Sequence, residues 1–219
     1  NNTAVGRDCL INNTTASNNT AVGYQAGYSN TTGTELTAVG LKSLYSNTTG
    51  NGNSGLGLFS LYANTTGAYD TAIGYASLYS NTTGSYNTAV GYAAGYNNTI
   101  GVRNTFIGNA AGYANSTGNS LVAVGYNALW NNTTGSFNIA IGGSYNVNAP
   151  LYSNTGGSYN IAIGEGSLAS STTANYNTAI GYSSLYSNTT GSQLTAIGYQ
   201  AGYSNTTGTT NVSVGYRAG

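Results

Sequence analysis

The sequence predicts an all-β chain, a parallel β-solenoid of about 13 coils. Three observations carry that expectation: a glycine that returns every 17 residues, a strand-forming stretch in front of it, and an Asn-Thr-Thr-Gly corner behind it.

The landmark glycine follows a small residue and Val, Ile or Leu, at Gly6, Gly23, Gly40, Gly57, Gly74, Gly91, Gly108, Gly125, Gly142, Gly164, Gly181, Gly198 and Gly215. Eleven of the twelve intervals are 17 residues and one is 22, and the copies align as N-T-A-(V/I)-G-Y-x-(A/S)-(L/G)-Y-S-N-T-T-G-S-x. Two-helix repeats need about 33 to 47 residues and a propeller blade about 40, so a period this short fits one turn of a solenoid. Repeated Gly, Asn, Thr and Ser also disfavour helix, whereas Val, Ile, Thr and Tyr favour strands.

Each coil is expected to hold two strands, T-A-I-G-Y and S-L-Y-S, with N-T-T-G as the turn between coils. Alternation along a strand puts the residue before the glycine on one face with the residue two earlier. The first is Val22, Val39, Leu56, Ile73, Val90, Ile107, Val124, Ile141, Ile163, Ile180, Ile197 or Val214; the second is mostly Thr, but is apolar in Val122, Ile139, Ile161 and Val212. That face is expected to be the core, made continuous by stacking. The landmark glycine is expected to turn the chain, where a positive φ or a close approach between coils would penalise a Cβ. At about 4.8 Å per coil, the stack predicts a rod roughly 60 Å long.

One interruption breaks the period. Five extra residues lie between Gly142 and Gly164, yet Leu151, Tyr152, Ser153 and Asn154 are already in phase with the following glycine. Residues 143–150 therefore read as a loop insertion at one corner, ending in Pro150, either a tolerated surface loop or a recognition loop carrying Tyr145. The rest of the chain, 1–219, reads as a single solenoid domain, or as a segment of a longer array. It starts and stops inside a repeat without a polar capping coil, so its strand edges are expected to meet further coils or another copy.

Composition narrows the function. Charged residues are 4% of the chain against roughly 25% in an ordinary soluble domain, and four bases (Arg7, Lys42, Arg103, Arg217) balance four acids (Asp8, Glu35, Asp70, Glu165). A neutral chain without a basic patch is not expected to bind nucleic acid. No apolar run approaches the roughly 20 residues of a membrane helix, so membrane insertion is not expected either. Cys9 is the sole cysteine and there is no histidine, so neither an internal disulfide nor a metal site is expected, and Cys9 reads as a small residue at an Ala/Ser position. Glu35 and Asp70 are the only carboxylates in nearby registers, two coils apart and without a partner to tune them. No catalytic, metal or cofactor residue is therefore assigned, and no enzymatic activity is expected.

The segments SLVAVG (120–125), FNIAIG (137–142) and YNIAIG (159–164) resemble the head repeats of trimeric autotransporter adhesins. The longer form NTAIGYASLYSNTTGSYNTAVGY, met at residues 70–92 with Asp70 in place of the first Asn, is similar to repeat arrays of bacterial and phage tail-fibre-like proteins. The resemblance covers essentially the whole chain. It implies a left-handed parallel β-roll, trimerisation and an extracellular or cell-surface role as fibre or adhesin. The adhesin repeat is usually a few residues shorter, and no neck, stalk, anchor or chaperone segment is visible here.

Stacking sets like on like. Tyr45, Tyr62, Tyr79, Tyr96, Tyr113 and Trp130 share one register, and Tyr75, Tyr92 and Tyr126 another. These are expected to form aromatic ladders that either brace the coils or present a surface strip to sugars or proteins. Asn30, Asn47, Asn64, Asn81, Asn115, Asn132, Asn188 and Asn205 form a column that reads as an asparagine ladder. The same residues head N-x-[ST] triplets and are candidate glycosylation acceptors. Flat Thr and Asn arrays at strand spacing, with Asn30 and Thr32 two apart and so expected on one face, also suggest ice binding, although N-T-T-G reads as a turn rather than a flat strand. The reading that ranks first is an extracellular structural fibre segment, associating with itself as a head-to-tail polymer or homotrimer, or laterally through its ladders. A surface adhesin for glycans or extracellular matrix is the alternative, and ice binding ranks third.

Overall fold

The computed structural model describes residues 1–219 as a parallel β-solenoid without helices, built from 17-residue coils. Each coil contributes one short strand: β1 Asn2–Val5, β2 Asn19–Val22, β3 Thr37–Val39, β4 Ser54–Leu56, β5 Thr71–Ile73, β6 Thr88–Val90, β7 Thr105–Ile107, β8 Val122–Val124, β9 Ile139–Ile141, β10 Ile161–Ile163, β11 Thr178–Ile180, β12 Thr195–Ile197 and β13 Val212–Val214. The chain divides into two compact units, Asn1–Asn104 with β1–β6 and Thr105–Gly219 with β7–β13. Within each unit neighbouring strands pair in parallel and in register, Thr20 with Thr37 with Ser54 in the first, Ile139 with Ile161 with Thr178 in the second.

The expected core face is on the wrong side by one residue. In β2 to β12 the residue at the alanine position is buried, as in Ala38, Ala72, Ala123, Ala140 and Ala162, whereas the flanking Val and Ile point outward, with Ile73, Ile107 and Ile197 each 40% exposed. Volume explains the reversal. Seventeen residues make a narrow ring, and Leu44, Leu61, Leu78, Leu129, Leu151, Leu168 and Leu185 already reach into it from the opposite wall. The strand can add only a methyl. Phe106 is the instructive exception, fully buried at the alanine position of β7. Gly112 of the same coil makes room for it, since a Cβ there would fall onto the Phe106 ring.

The second expected strand is absent. In S-L-Y-S the backbone still bonds between coils, Leu44 N–H to the Ser60 carbonyl (2.9 Å) and Ser46 N–H to the Tyr62 carbonyl (3.1 Å). The chain, however, enters the left-handed region at Lys42 (φ +53°) and Leu44 (φ +52°), which no extended strand does. This explains the (L/G) alternation in the repeat. At that position Gly27, Gly95, Gly112 and Gly202 relieve the backbone, and leucine elsewhere accepts the strain in exchange for core volume.

The landmark glycine meets both requirements foreseen for it. Gly23 has φ +135° and Gly40 φ +131°, and a Cβ on either would lie 2.5 Å from the carbonyl oxygen of the landmark glycine in the next coil. The insertion at 143–150 leaves the stack undisturbed: Leu129 N–H bonds to the Pro150 carbonyl (3.0 Å), and Asn154 returns to its column.

Candidate functional site

Two columns of asparagine run through the interior. In the first, the amide nitrogen donates to a glycine carbonyl three residues on and, where asparagine also stands one coil earlier, to its Oδ1: Asn47 to Asn30 (2.9 Å), Asn64 to Asn47 (2.8 Å), Asn81 to Asn64 (3.1 Å) in the first unit, and Asn132 to Asn115 (2.8 Å), Asn154 to Asn132 (2.7 Å) and Asn205 to Asn188 (3.1 Å) in the second. The ladder read from the sequence is real and also includes Asn98 and Asn154. Its use as a glycan site is not compatible with this geometry. Asn30, Asn47, Asn64, Asn81, Asn115, Asn132 and Asn188 are completely buried, and Asn205 is half-buried with its amide bonded to Asn188 and Gly208. An acceptor amide must be reachable, and each of these faces inward with its N–H groups engaged. Corner threonines reinforce the same contacts, Thr31, Thr48, Thr65 and Thr82 each donating Oγ1–H to the carbonyl of the equivalent residue one coil on.

The second column was not foreseen. Asn19 opens β2, and Asn53, Asn87, Asn138, Asn160 and Asn177 each stand one residue before a strand; all six are buried. Each amide donates to the glycine carbonyl that closes the same coil's corner, or to its Ala174 counterpart, and each Oδ1 caps a backbone N–H one coil on. Leu36, Leu121 and Leu194 occupy this column in three coils. Asp70 occupies it in another.

Asp70 is fully enclosed, with Oδ1 accepting from Asn87 N–H (2.7 Å) and Oδ2 from the Asn81 amide (3.1 Å). Burial pushes its carboxyl up to about 7, against the pull of those hydrogen bonds. Protonation supplies an O–H where the equivalent asparagines carry an N–H. Glu35, its supposed companion, is exposed in another part of the coil.

The first column has one defect. Ser171 replaces asparagine, and both Ser171 Oγ and Asn154 Oδ1 are buried without a partner. The same coil has Ala174 where glycine usually closes the corner. A Cβ on Gly157, the equivalent residue one coil earlier, would sit 2.5 Å from Asn154 Oδ1, so the serine and the alanine belong together. Ser171→Asn alone is therefore expected to gain nothing, whereas Ser171→Asn with Ala174→Gly should stabilise the fold by about 1–2 kcal/mol through two restored hydrogen bonds. Urea unfolding midpoints of the two single variants and the double variant measure that coupling.

Outside, the aromatic registers stack as expected. Ring centroids lie 5.1 Å apart for Tyr28–Tyr45, 5.3 Å for Tyr45–Tyr62, 5.0 Å for Tyr62–Tyr79 and 4.9 Å for Tyr79–Tyr96; in the second unit Tyr113–Trp130 lie at 4.6 Å. Tyr75 and Tyr92 stack at 5.0 Å, and Tyr145 of the inserted loop lays its ring on Tyr126 at 5.1 Å, completing that register although Gly143 follows the landmark glycine. A third register, Tyr69–Tyr86 and Phe137–Tyr159–Tyr176, was not foreseen. Face-to-face stacking covers the ring faces that a sugar would need and leaves edges outward. Cys9 sits in the Ala/Ser register, its thiol against the Gly23 carbonyl (2.6 Å). The chain matches no protein-family model, no curated protein and no solved structure.

Proposed function

We propose that this chain is a segment of an extracellular structural fibre that associates laterally with copies of itself. The observation that carries the reading is the outward aliphatic face of the strands. It is densest over β8–β10, where Val122, Val124, Ile139, Ile141, Ile161 and Ile163 stand together on three adjacent coils, none of them fully buried, in strands that contain no charged residue. Contiguous apolar surface of this kind marks an interface more often than a solvated face. The interior supports the same role, because amide ladders that link one coil to the next suit a stiff spacer better than a moving catalyst. The extracellular placement follows the likeness of the repeat to adhesin heads and tail fibres, and homotrimer formation is the assembly that likeness implies.

The test is sedimentation of the purified chain beside a variant with Ile139→Thr, Ile141→Thr, Ile161→Thr and Ile163→Thr. Threonine already holds the first position in most other coils, so the variant should fold. The parent is expected to sediment as a trimer or larger assembly and the variant as a monomer. A parent that stays monomeric at every concentration would refute lateral association.

A further inference from the structure

We propose that the strand face of the first unit, over β1–β6, binds ice. This goes beyond the fibre reading and concerns different coils from the all-aliphatic patch.

The face carries two parallel ranks. One holds Thr3, Thr20, Thr37, Ser54, Thr71 and Thr88; the other, two residues on, holds Val, Leu or Ile in every coil. In-register pairing repeats each rank at one strand spacing, about 4.8 Å, and separates the two ranks by about 6.7 Å along the strand. Such a two-dimensional grid of hydroxyls and methyls is of the dimensions of oxygen repeats on an ice surface. The sequence-based expectation placed ice binding at N-T-T-G, with Asn30 and Thr32 on one face, but Asn30 is fully buried while Thr32 is exposed, and the neighbouring Thr31, Thr48, Thr65 and Thr82 donate their hydroxyls to the next coil. The strand-face hydroxyls make no hydrogen bond to the chain. They are free to anchor water.

Two further properties suit that ligand. No strand of β1–β6 contains a charged residue, so nothing on the face holds the strongly oriented liquid hydration that would have to be stripped before ice could adsorb. Thr, Val and Ile are β-branched and stiff at χ1, so the ranks are ordered before contact and little side-chain entropy is lost. β4, with Ser54 and Leu56, is the one coil of the six without a β-branched residue on this face.

The experiment follows ice-crystal shaping and inhibition of ice recrystallisation by the full chain and by the monomeric four-threonine variant described above, so that self-association cannot hide the face. Both are compared with Thr37→Lys and Thr71→Lys, which place a charge in the hydroxyl rank, and with Thr49→Lys at an exposed corner. Circular dichroism establishes that each variant is folded. Ice shaping that persists in Thr49→Lys and is lost in Thr37→Lys and Thr71→Lys is the expected result, with Ser54→Thr/Leu56→Ile raising activity. Unshaped ice with both the full chain and the four-threonine variant overturns the proposal, as does equal loss in Thr49→Lys. Because the assembly state is measured separately, failure here leaves the fibre reading standing, and a monomeric parent that shapes ice would sink only that reading.

Discussion

Raising the pH from about 4 to about 8 should weaken this fold by roughly 4 kcal/mol, and Asp70→Asn should abolish the effect. The carboxyl titrates near 3.8 when the chain is unfolded and near 7 inside the coil. Because the folded value is the higher one, the unfolded state releases its proton first as pH rises. Stability is therefore complete below the unfolded value, declines between the two and is level again above about 7. Asparagine fits the column at this position, as Asn53 and Asn87 do in the coils on either side, and it brings an N–H that no pH removes. Urea denaturation at several pH values, parent against Asp70→Asn, reads the result. A parent whose midpoint does not move with pH would show that the carboxyl is solvated in the folded chain.

Asn64→Ala should cost about 4 kcal/mol, several times more than Asn87→Leu at roughly 1 kcal/mol, although both remove a fully buried amide. Asn64 is linked on both sides: its amide serves Asn47 Oδ1 and the Gly67 carbonyl, and its own Oδ1 accepts from Asn81. Alanine leaves Asn47 without that donor and Asn81 without that acceptor, both in the interior, and opens a void between them. Asn87 belongs to the second column, where Leu36, Leu121 and Leu194 already show that an apolar side chain of similar size is accommodated. Its corner carbonyl, Gly101, keeps a bond from Asn98 when the Asn87 amide is removed. Denaturant midpoints for the two variants provide the comparison. Equal losses would mean that burial alone, and not linkage along the column, determines the cost.

The parts legible in the sequence are those set by period. A 17-residue interval and a glycine at fixed phase give the solenoid, the parallel register and the position of the inserted loop, because stacking turns sequence distance directly into adjacency. Alternation along the strand was legible too, but not which face lies inside. Val and Ile outrank Ala on any hydrophobic scale, and only the width of the ring, a property of the closed coil, reserves the interior for a methyl. Asn19 and Ala21 are two apart and therefore share a face, which was the available sign of the second amide column, reinforced by the leucines that replace asparagine there. The glycosylation reading of Asn30 and its column failed for a related reason: the triplet describes local chemistry, whereas accessibility is decided by neighbours a whole coil away. For S-L-Y-S, strand propensity was overridden by left-handed backbone at Leu44, whose sign in the sequence was the exchange of leucine with glycine.

The positive φ angles have a consequence for how such a chain folds. Most coils place three residues other than the landmark glycine in the left-handed region, and most of these are not glycine; in one coil they are Glu35, Lys42 and Leu44. Local preference thus opposes the native backbone at several points in every turn, and an isolated coil has little reason to form. Contacts with the next coil must provide the compensation, yet paired strands are never more than 17 residues apart, or 22 where the loop intervenes. Loop closure is consequently as easy for the last coil as for an early one. Folding should begin with a rare cluster of a few adjoining coils and then advance turn by turn, at a speed that depends weakly on the number of repeats, so that lengthening the array adds structure without adding topological difficulty.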